Sequence, residues 1–568
     1  MKYISMLVTA LVVVACSGDD NDSIESPAEK EVYYLSVKLK ATDGLTRAPE
    51  GFEEGTEEES AISIDKAKFY FYDDLGGYLA SGSIAKNEGD NESDFLEYKG
   101  NATGDIENRS DALIVLDSVP IKPSSVIVVL NTTADLKGKS AKEVYSITID
   151  NSSIRSSKGD FIMTTSSYMK DDKVIYLQEI TKDKFCKNKV DALQNPVDIY
   201  VERIVAKVAM TFTDATKVGN PVFNVKPEFL ASDELLASPV EMRVVVDGWK
   251  LNATNYRSNY LKNLDKNWMT TPPFTDWNAD FRSYWALDIN YSGDASSYTG
   301  STYGDLNWYS WKDAKFEKDD EGNLIIPVEY CYENTVERAN QQGKPGDRAN
   351  VTTMLIAAHA EYSTDEGTSW LTGENIFRYD GVLYTLEGFK KLHLRELREQ
   401  GFCLYKQEGE TVTVKDLENT DIVTSIKELS VSHVMLKVDA LSADAGYVLK
   451  KKVGDDAFVD ADLDVLNAAI EASDLAVDSE CYREGMCYYQ VPIEHLSSTA
   501  DARFYGVVRN HSYRLRLNSI GSLGDPVYDP NLSLQYIPGK DDDYYTSVKL
   551  SILKWRLIRN DMNFEEKQ

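Results

Sequence analysis

Apolar and polar residues alternate in short runs along most of this chain, as they do in half-buried β-strands. "AISIDKAKFYFYDDLGGYLASG" (Ala61 to Gly82) predicts a strand, a turn at Asp-Asp-Leu-Gly-Gly and a returning strand. "SSVIVVLNTT" (Ser124 to Thr133) is nearly all apolar, the pattern of a strand covered on both faces, and "VDIYVERIVAKVAMTFTD" (Val197 to Asp214) predicts a long strand of the same kind. "MRVVVDGW", "NLIIPVEYCYEN", "TTMLIAAHAEYS", "MCYYQVPI" and "SYRLRLNSIG" continue the theme. Helical periodicity is rare. "LEGFKKLHLRELREQ" puts Phe389, Leu392 and Leu397 on one face, and "ADLDVLNAAIEASDL" does the same with Leu463, Leu466 and Ile470. Many short strands between turn signals predict a mainly β chain of β-sandwiches with a few short helices.

One strand pattern occurs twice. "YYLSVKL" (Tyr33 to Leu39) returns as "YYTSVKL" (Tyr544 to Leu550), with six of seven letters shared. In the first, Tyr33, Leu35, Val37 and Leu39 form an apolar face opposite Tyr34, Ser36 and Lys38. In the second, Tyr544, Thr546, Val548, Leu550 and Ile552 take the equivalent face. The phase then slips, and Leu553, Trp555 and Leu557 continue in the other register, which predicts a bulge or bend dividing this arm into two short strands. The arm could fill the same groove as the N-terminal strand. The plainer alternative is two edge strands of two different sandwiches, alike through strand propensity.

At 568 residues the chain suggests two or three domains. "KVGNPVFNVKP" (Lys217 to Pro227) marks a break, and "GDPVYDPNLSLQYIPGKDDD" predicts a loose connector ahead of the arm. A net charge of −32 argues against nucleic acid, where cationic contacts supply the affinity, and suits a soluble surface protein. The opening "MKYISMLVTALVVVAC" has one lysine and an apolar run too short to span a bilayer, as in a cleaved signal. Small residues before Cys16 resemble a bacterial lipobox, which would leave Cys16 lipidated, and the acidic "SGDDND" after it resembles the signal for the outer face of a Gram-negative outer membrane. Arg47 is the first arginine of the chain and lies in a turn-rich, acidic segment of the kind proteases cut; cleavage at Arg47-Ala48 would separate the strand and its lipid from the body.

Reactive chemistry is sparse. Five histidines (His359, His393, His433, His495, His511) are scattered, and no metal-binding, phosphate-binding or nucleophile motif accompanies them. Neither a catalytic residue nor a metal or other cofactor is expected. The acidic runs at Glu53-Glu54, Glu57-Glu58-Glu59 and Asp541-Asp542-Asp543 read as solvated loops, with calcium the lesser alternative. "CYREGMC" leaves two options for Cys481 and Cys487, a disulfide across a Glu484-Gly485 turn or two half-buried thiols. The aromatics of "NLDKNWMTTPPFTDWNADFRSYW" could stack on sugar, though core or inter-strand packing is the simpler role.

A series of strings in order resembles the fimbrillin family, the type V pilins of Gram-negative anaerobes, and in particular its major-subunit group of the minor-fimbrium type. They are the lipobox at Cys16, Arg47-Ala48 before an acidic stretch, "VIVVLN" (Val126 to Asn131), "VERIVAKV" (Val201 to Val208) and "YCYENT" (Tyr330 to Thr335). "GMCYYQVPIEH" (Gly485 to His495), "GVVRNHSYRLRLNSI" (Gly506 to Ile520) and the strand around Trp555 complete the series. The resemblance implies two Greek-key, transthyretin-like β-sandwich domains, export as a lipoprotein, loss of the N-terminal strand to an arginine-specific protease, and filling of the vacated groove by the C-terminal arm of the next subunit.

The expected division is a signal peptide (1–15), a lipidated tether with the removable strand (16–47), an N-terminal sandwich (48–222), a C-terminal sandwich (223–540) and a donor-strand arm (541–568). The implied role is that of a pilus shaft subunit at the outer membrane and in the fimbrium. Its expected partners are other copies of itself, anchor and tip subunits, the protease, and the membrane through lipid before cleavage. The alternative is a surface lipoprotein that binds glycans or acts as a tip adhesin, which would need a groove but no donor arm.

Overall fold

The structure, a computed structural model, describes residues 8–9, 32–40, 66–85, 96–99, 108–117, 121–132, 134–150, 161–170, 173–212, 219–225, 228–233, 237–264, 286–289, 306–335, 351–442, 446–455, 457–497, 503–535 and 556–564. Alternating segments form the first sheet: β1 (Val32–Lys40), β2 (Lys66–Tyr72), β3 (Asn108–Asp117), β4 (Ser125–Leu130), β5 (Met163–Thr165) and β6 (Val197–Arg203). Their order is β3-β1-β6-β5-β4-β2, with Tyr78–Ala85 returning beside β2 as the hairpin pattern predicts. Gly76 supplies φ +80 in that turn, and the Asp73 carboxylate accepts from the N–H groups of Leu75 (2.9 Å) and Gly77 (2.7 Å). β4 is buried throughout. Val126, Val128 and Leu130 share a core with Leu35, Val37, Phe69 and Phe71, while Ile127 and Val129 face a second core with Tyr70 and Tyr72. Its unbroken apolar run therefore serves two faces.

The run from Val197 is two strands. It breaks at Ile204-Val205, and β7 (Ala206–Phe212) joins a different sheet, so the chain changes sheets ahead of the Lys217 to Pro227 stretch. The second sandwich is built around β8 (Ala237–Asn252), β9 (Thr353–Ser363), β10 (Met486–Pro492), β11 (His511–Ile520) and β12 (Arg556–Phe564). β8, β9 and β10 belong to a nine-stranded sheet, whereas β7, β11, β12 and Val328–Cys331 form a four-stranded one. Alternate residues of both sheets, among them Val208, Met210, Leu515 and Leu517 against Val244, Val246, Ile356 and Tyr489, meet in one core.

The nine-stranded sheet also hosts an inserted unit that the sequence pattern leaves unmarked. The chain departs after Val382–Thr385 and returns at Glu480–Tyr482. Between them lie α1 (Leu386–Glu399), a four-stranded sheet, a hairpin and α2 (Leu463–Glu471). Thr385 caps α1 by accepting from the Gly388 N–H at 3.1 Å. Phe389, Leu392 and Leu397 are buried on one face of α1, as their spacing predicts. Leu397 joins Leu466 and Ile470 of α2, with Phe402, Leu404 and Leu436, in a core of the unit's own, against which Leu463 packs half-buried.

The open choice at Cys481 and Cys487 resolves to thiols, and the expected looseness of the connector is corrected. Cys481 and Cys487 are free thiols, and both are buried. The turn between them uses positive φ at Glu484 (53°) and Gly485 (74°), and a Cβ at Gly485 would stand 2.4 Å from the Ala360 carbonyl oxygen. It connects strands that are not neighbours: Cys481 opposes Phe377 and Cys487 opposes Ala358. The first half of the Pro- and Gly-containing connector is packed. Asp525–Pro526 pairs with β10, Val527 is fully buried, and the Leu534 carbonyl accepts from Asn252 Nδ2 at 2.6 Å.

A charged seam joins the first sheet to the second sandwich. Arg509, just before β11, grips Glu333 through Nε (2.6 Å) and Nη2 (2.8 Å) and donates to the Tyr260 carbonyl (3.0 Å) and Ser258 Oγ (3.0 Å). Lys262 of the same 254–264 segment pairs with Glu202 of β6 at 3.1 Å. All four charged side chains are at most 2 % exposed, and burial holds the Glu202 carboxyl above the usual carboxylate range despite its lysine.

Arg509→Met is expected to cost about 3–5 kcal/mol in urea unfolding, because Glu333 is left buried and uncompensated, with part of the loss recovered in Arg509→Met/Glu333→Gln. A second test concerns His359 of β9, whose Nδ1 lies 2.8 Å from Asp247 Oδ2 of β8. Burial alone would lower its pKa, but Asp247 and Glu361 outweigh it and hold it above the ordinary 6.5. The stability it adds is fully present below 6.5 and is lost as pH rises through the higher folded value. Thermal midpoints should therefore fall less steeply in His359→Gln than in the parent between roughly pH 6 and 9.

Candidate functional site

β1 forms where its alternation allows two different partners. It runs antiparallel to β3 over its full length, from Val32 opposite Asp117 to Lys40 opposite Arg109. Its second half runs parallel to β6, from Val37 opposite Val197 to Lys40 opposite Tyr200. The plainer alternative makes this an edge strand; it is interior instead. Taking it away would leave β3 and β6 facing each other across two strand spacings, roughly 10 Å, with both rows of backbone groups unpaired.

The side chains fix the slot further. Leu35 and Val37 have no exposed surface and sit in the core with Phe69, Phe71, Val126, Ile199 and Val201. Ser36, on the face expected to be polar, is only 2 % exposed, so this part of the strand is enclosed on both sides. Small size and a hydroxyl suit that position; the alternation marks it only as polar. Tyr33 opposes Leu116, and Leu39 opposes Ser110 and Ile199 in register.

Of the expected arm, Leu557 lies in β12, opposite Ser512 of β11. Tyr544, Thr546, Val548, Leu550, Ile552, Leu553 and Trp555 lie outside the described residues, as do Cys16, Arg47, Ala48 and most of the aromatic stretch from Asn263 to Trp285. β12 runs parallel to β11 with a register shift between Leu517 and Ser519, and β11 runs parallel to β7. β1 thus stands in the first sheet and β12 at one end of the four-stranded sheet of the second sandwich.

Other clusters offer less. Among the described residues, no group of three His, Cys, Asp or Glu side chains is placed to hold a metal ion, and no helix is long and apolar enough to cross a membrane. His393 is a core histidine: burial lowers its pKa to about 3, and its Nε2 accepts from the Leu436 N–H at 3.1 Å. Burial also pushes the Cys487 thiol up to about 12, far from a reactive thiolate. A pocket of about 280 Å³ beside α1 sets Lys391 against Asp233 at 3.3 Å.

The strands around β10, β11 and β12 are also where the chain matches known proteins. Residues 480–561 match the family model described as major fimbrial subunit protein type IV, fimbrillin, C-terminal. Solved structures similar to the chain include a fimbrilin from Porphyromonas gingivalis, at 12% identity over 94% of this chain and 98% of that one, with a TM-score of 0.30. The tip fimbrial protein Mfa3 from Porphyromonas gingivalis, with C-terminal truncation, matches at 10% identity over 68% and 98%, with a TM-score of 0.27. A fimbrial assembly protein from Parabacteroides distasonis matches at 10% over 60% and 85%, with a TM-score of 0.25. No curated protein matches the chain. Superpositions this loose carry no argument, and the likeness rests on the C-terminal strands: residues 480–561 are similar to the C-terminal part of fimbrillins.

Proposed function

We propose that this protein is a structural subunit of a pilus shaft rather than an enzyme. In this reading it is exported as an outer-membrane lipoprotein through Cys16, activated by an arginine-specific protease at Arg47-Ala48, and polymerised when the arm of one subunit replaces β1 of the next. Anchor and tip subunits close the two ends of the fibre. The observation that carries the proposal is that the segment copied at Tyr544 to Leu550 is the one the first sheet holds enclosed between β3 and β6.

Strand directions are compatible with a two-part arm. β1 is parallel to β6, β6 leads directly into β7, and β12 follows β11, which is parallel to β7. An arm laid along β6 by its first half continues in the sense of β7 and β11 by its second, with the phase slip at Ile552-Leu553 between them. The contact is head-to-tail and leaves an open filament. β1, tethered to the body, holds the slot at high effective concentration until it is cut free. A free-standing glycan binder or a tip adhesin has no use for the arm, which favours the shaft.

The single difference between the two copies falls on an enclosed position. In register, the arm brings Thr546 to the place of Leu35, which has no exposed surface. The subunit's own strand therefore fits better than the incoming one, since a buried leucine is worth about 1.5–3 kcal/mol. Exchange then runs downhill only after the tether is cut.

Full-length protein treated with an arginine-specific protease is expected to give a body starting at Ala48 and detergent-resistant ladders on gels. Arg47→Ala should stay monomeric, and ladders from uncleaved Arg47→Ala protein would refute activation by cleavage. After cleavage, Leu35→Thr should speed ladder formation roughly tenfold or more by weakening the departing strand, and Thr546→Leu should raise the denaturant needed to dissolve the ladders. Equal behaviour of both variants and the parent would show that the arm does not take the place of β1.

A further inference from the structure

Among the described residues, the four-stranded sheet of the inserted unit ends in a strand with one unpaired edge. Thr411–Asp416 pairs with Phe402–Glu408 and is bonded on one side only among the described residues; Val448–Lys452 and Phe458–Asp460 complete the sheet beyond Phe402–Glu408. Its six pairs run without a bulge, it has no proline and no charge before Lys415, and every residue except Lys415 is exposed. Natural edges usually carry such devices against pairing with another chain; here the charges are confined to Lys415 and Asp416 at the strand's end, which leaves Thr411 to Val414 bare of them. Val412 and Val414, 46% and 44% exposed, oppose Gln407 and Tyr405 on the outer face, whereas Phe402 and Leu404 line the unit's core. Half-exposed Val448 opposes Tyr405, and Phe458 lies 5.3 Å from the Tyr405 ring, so the valines continue an apolar strip.

We infer that Thr411–Asp416 is a self-pairing edge that joins the same strand of a second copy of this chain, antiparallel and centred on Thr413. A two-fold axis normal to the sheet keeps each face on its own side, so only residues of equal parity can oppose each other. With Thr413 opposite its own counterpart, Val412 meets Val414 twice and Thr411 meets Lys415 twice, with no like charges across the ladder. Shifting the centre to Val414 sets Val412 against Asp416, and shifting it to Val412 sets Val414 against Glu410. Each shift sets valines against carboxylates, which selects the Thr413 register. Glu410 and Asp416 would repel at the next step and end the ladder after Thr411 to Lys415.

Five residues per strand bury far less than the roughly 1,200 Å² of a stable complex, so a single contact is weak. Repeated along two fibres it would hold them side by side by avidity, a consequence that rests on the proposed shaft role, whereas the edge pairing itself does not.

The test uses full-length, uncleaved protein, so it does not depend on fibre formation. Thr413→Cys is expected to form a disulfide-linked dimer under mild oxidation roughly tenfold faster than the exposed control Ser430→Cys, with native thiols read from the parent chain. Thr411→Cys mixed with Lys415→Cys should give the mixed dimer faster than either gives its own, and Val414→Glu added to Thr413→Cys should abolish the excess. Cross-linking of Thr413→Cys no faster than Ser430→Cys, or persisting with Val414→Glu, would overturn the inference.

Discussion

The backbone pairing of β1 with β3 and β6 is the interaction on which the first sandwich depends. An interior strand satisfies two rows of amide and carbonyl groups at once, and its removal would open the sheet from within rather than trim its margin. Leu35 and Val37 fill the core on one side, and Ser36 is enclosed on the other. A segment that takes this place must therefore match in backbone direction, alternate its apolar residues correctly and present a small polar side chain between them. Those requirements make the resemblance of Tyr544 to Leu550 chemically meaningful: Ser547 and Val548 preserve the inner pair, and only Thr546 departs.

The second constraint is the seam between the sandwiches. Arg509, Glu333, Lys262 and Glu202 are desolvated, and replacing such a set with apolar residues is often no less stable. Their contribution is geometric. A guanidinium with hydrogen bonds to Glu333, Ser258 and the Tyr260 carbonyl tolerates one arrangement of its neighbours, and Lys262 carries that arrangement to β6. Tyr260, Leu261 and Tyr332 add an apolar seam against Tyr70, Tyr72, Ile127 and Val129. The first sheet is thus clasped along the face that β1 does not close with Leu35 and Val37.

Periodicity made the strands around Lys66, Ser125 and Thr353 legible, and it placed the buried faces of α1 and α2 correctly. It failed where the deciding contacts are remote. Ile204 and Val205 look like the middle of one strand because apolar residues recur from Val197 to Phe212 on both sides of them, and no glycine or proline marks the change of sheet. The inserted unit escaped because "TVTVKD" alternates like any sandwich strand; only its partner, 402–408, reveals a separate sheet. The prolines of the connector suggested looseness, yet Val527 is anchored beneath β10. The slot itself was half readable: the apolar face of β1 follows from its letters, whereas its interior position depends on β3 and β6, each far along the chain. The seam was not readable, since Arg509 and Glu333 are 176 positions apart.

The direct passage from β6 into β7 has a mechanical meaning. A continuous backbone with one short break at Ile204-Val205 crosses from one sandwich to the other, parallel to β1 on one side of that break and to β11 on the other. Tension applied along this axis loads the flanking ladders in shear, so their hydrogen bonds resist together instead of unzipping in turn. Force entering at one sandwich would leave by the other through covalent bonds, alongside the buried charged seam.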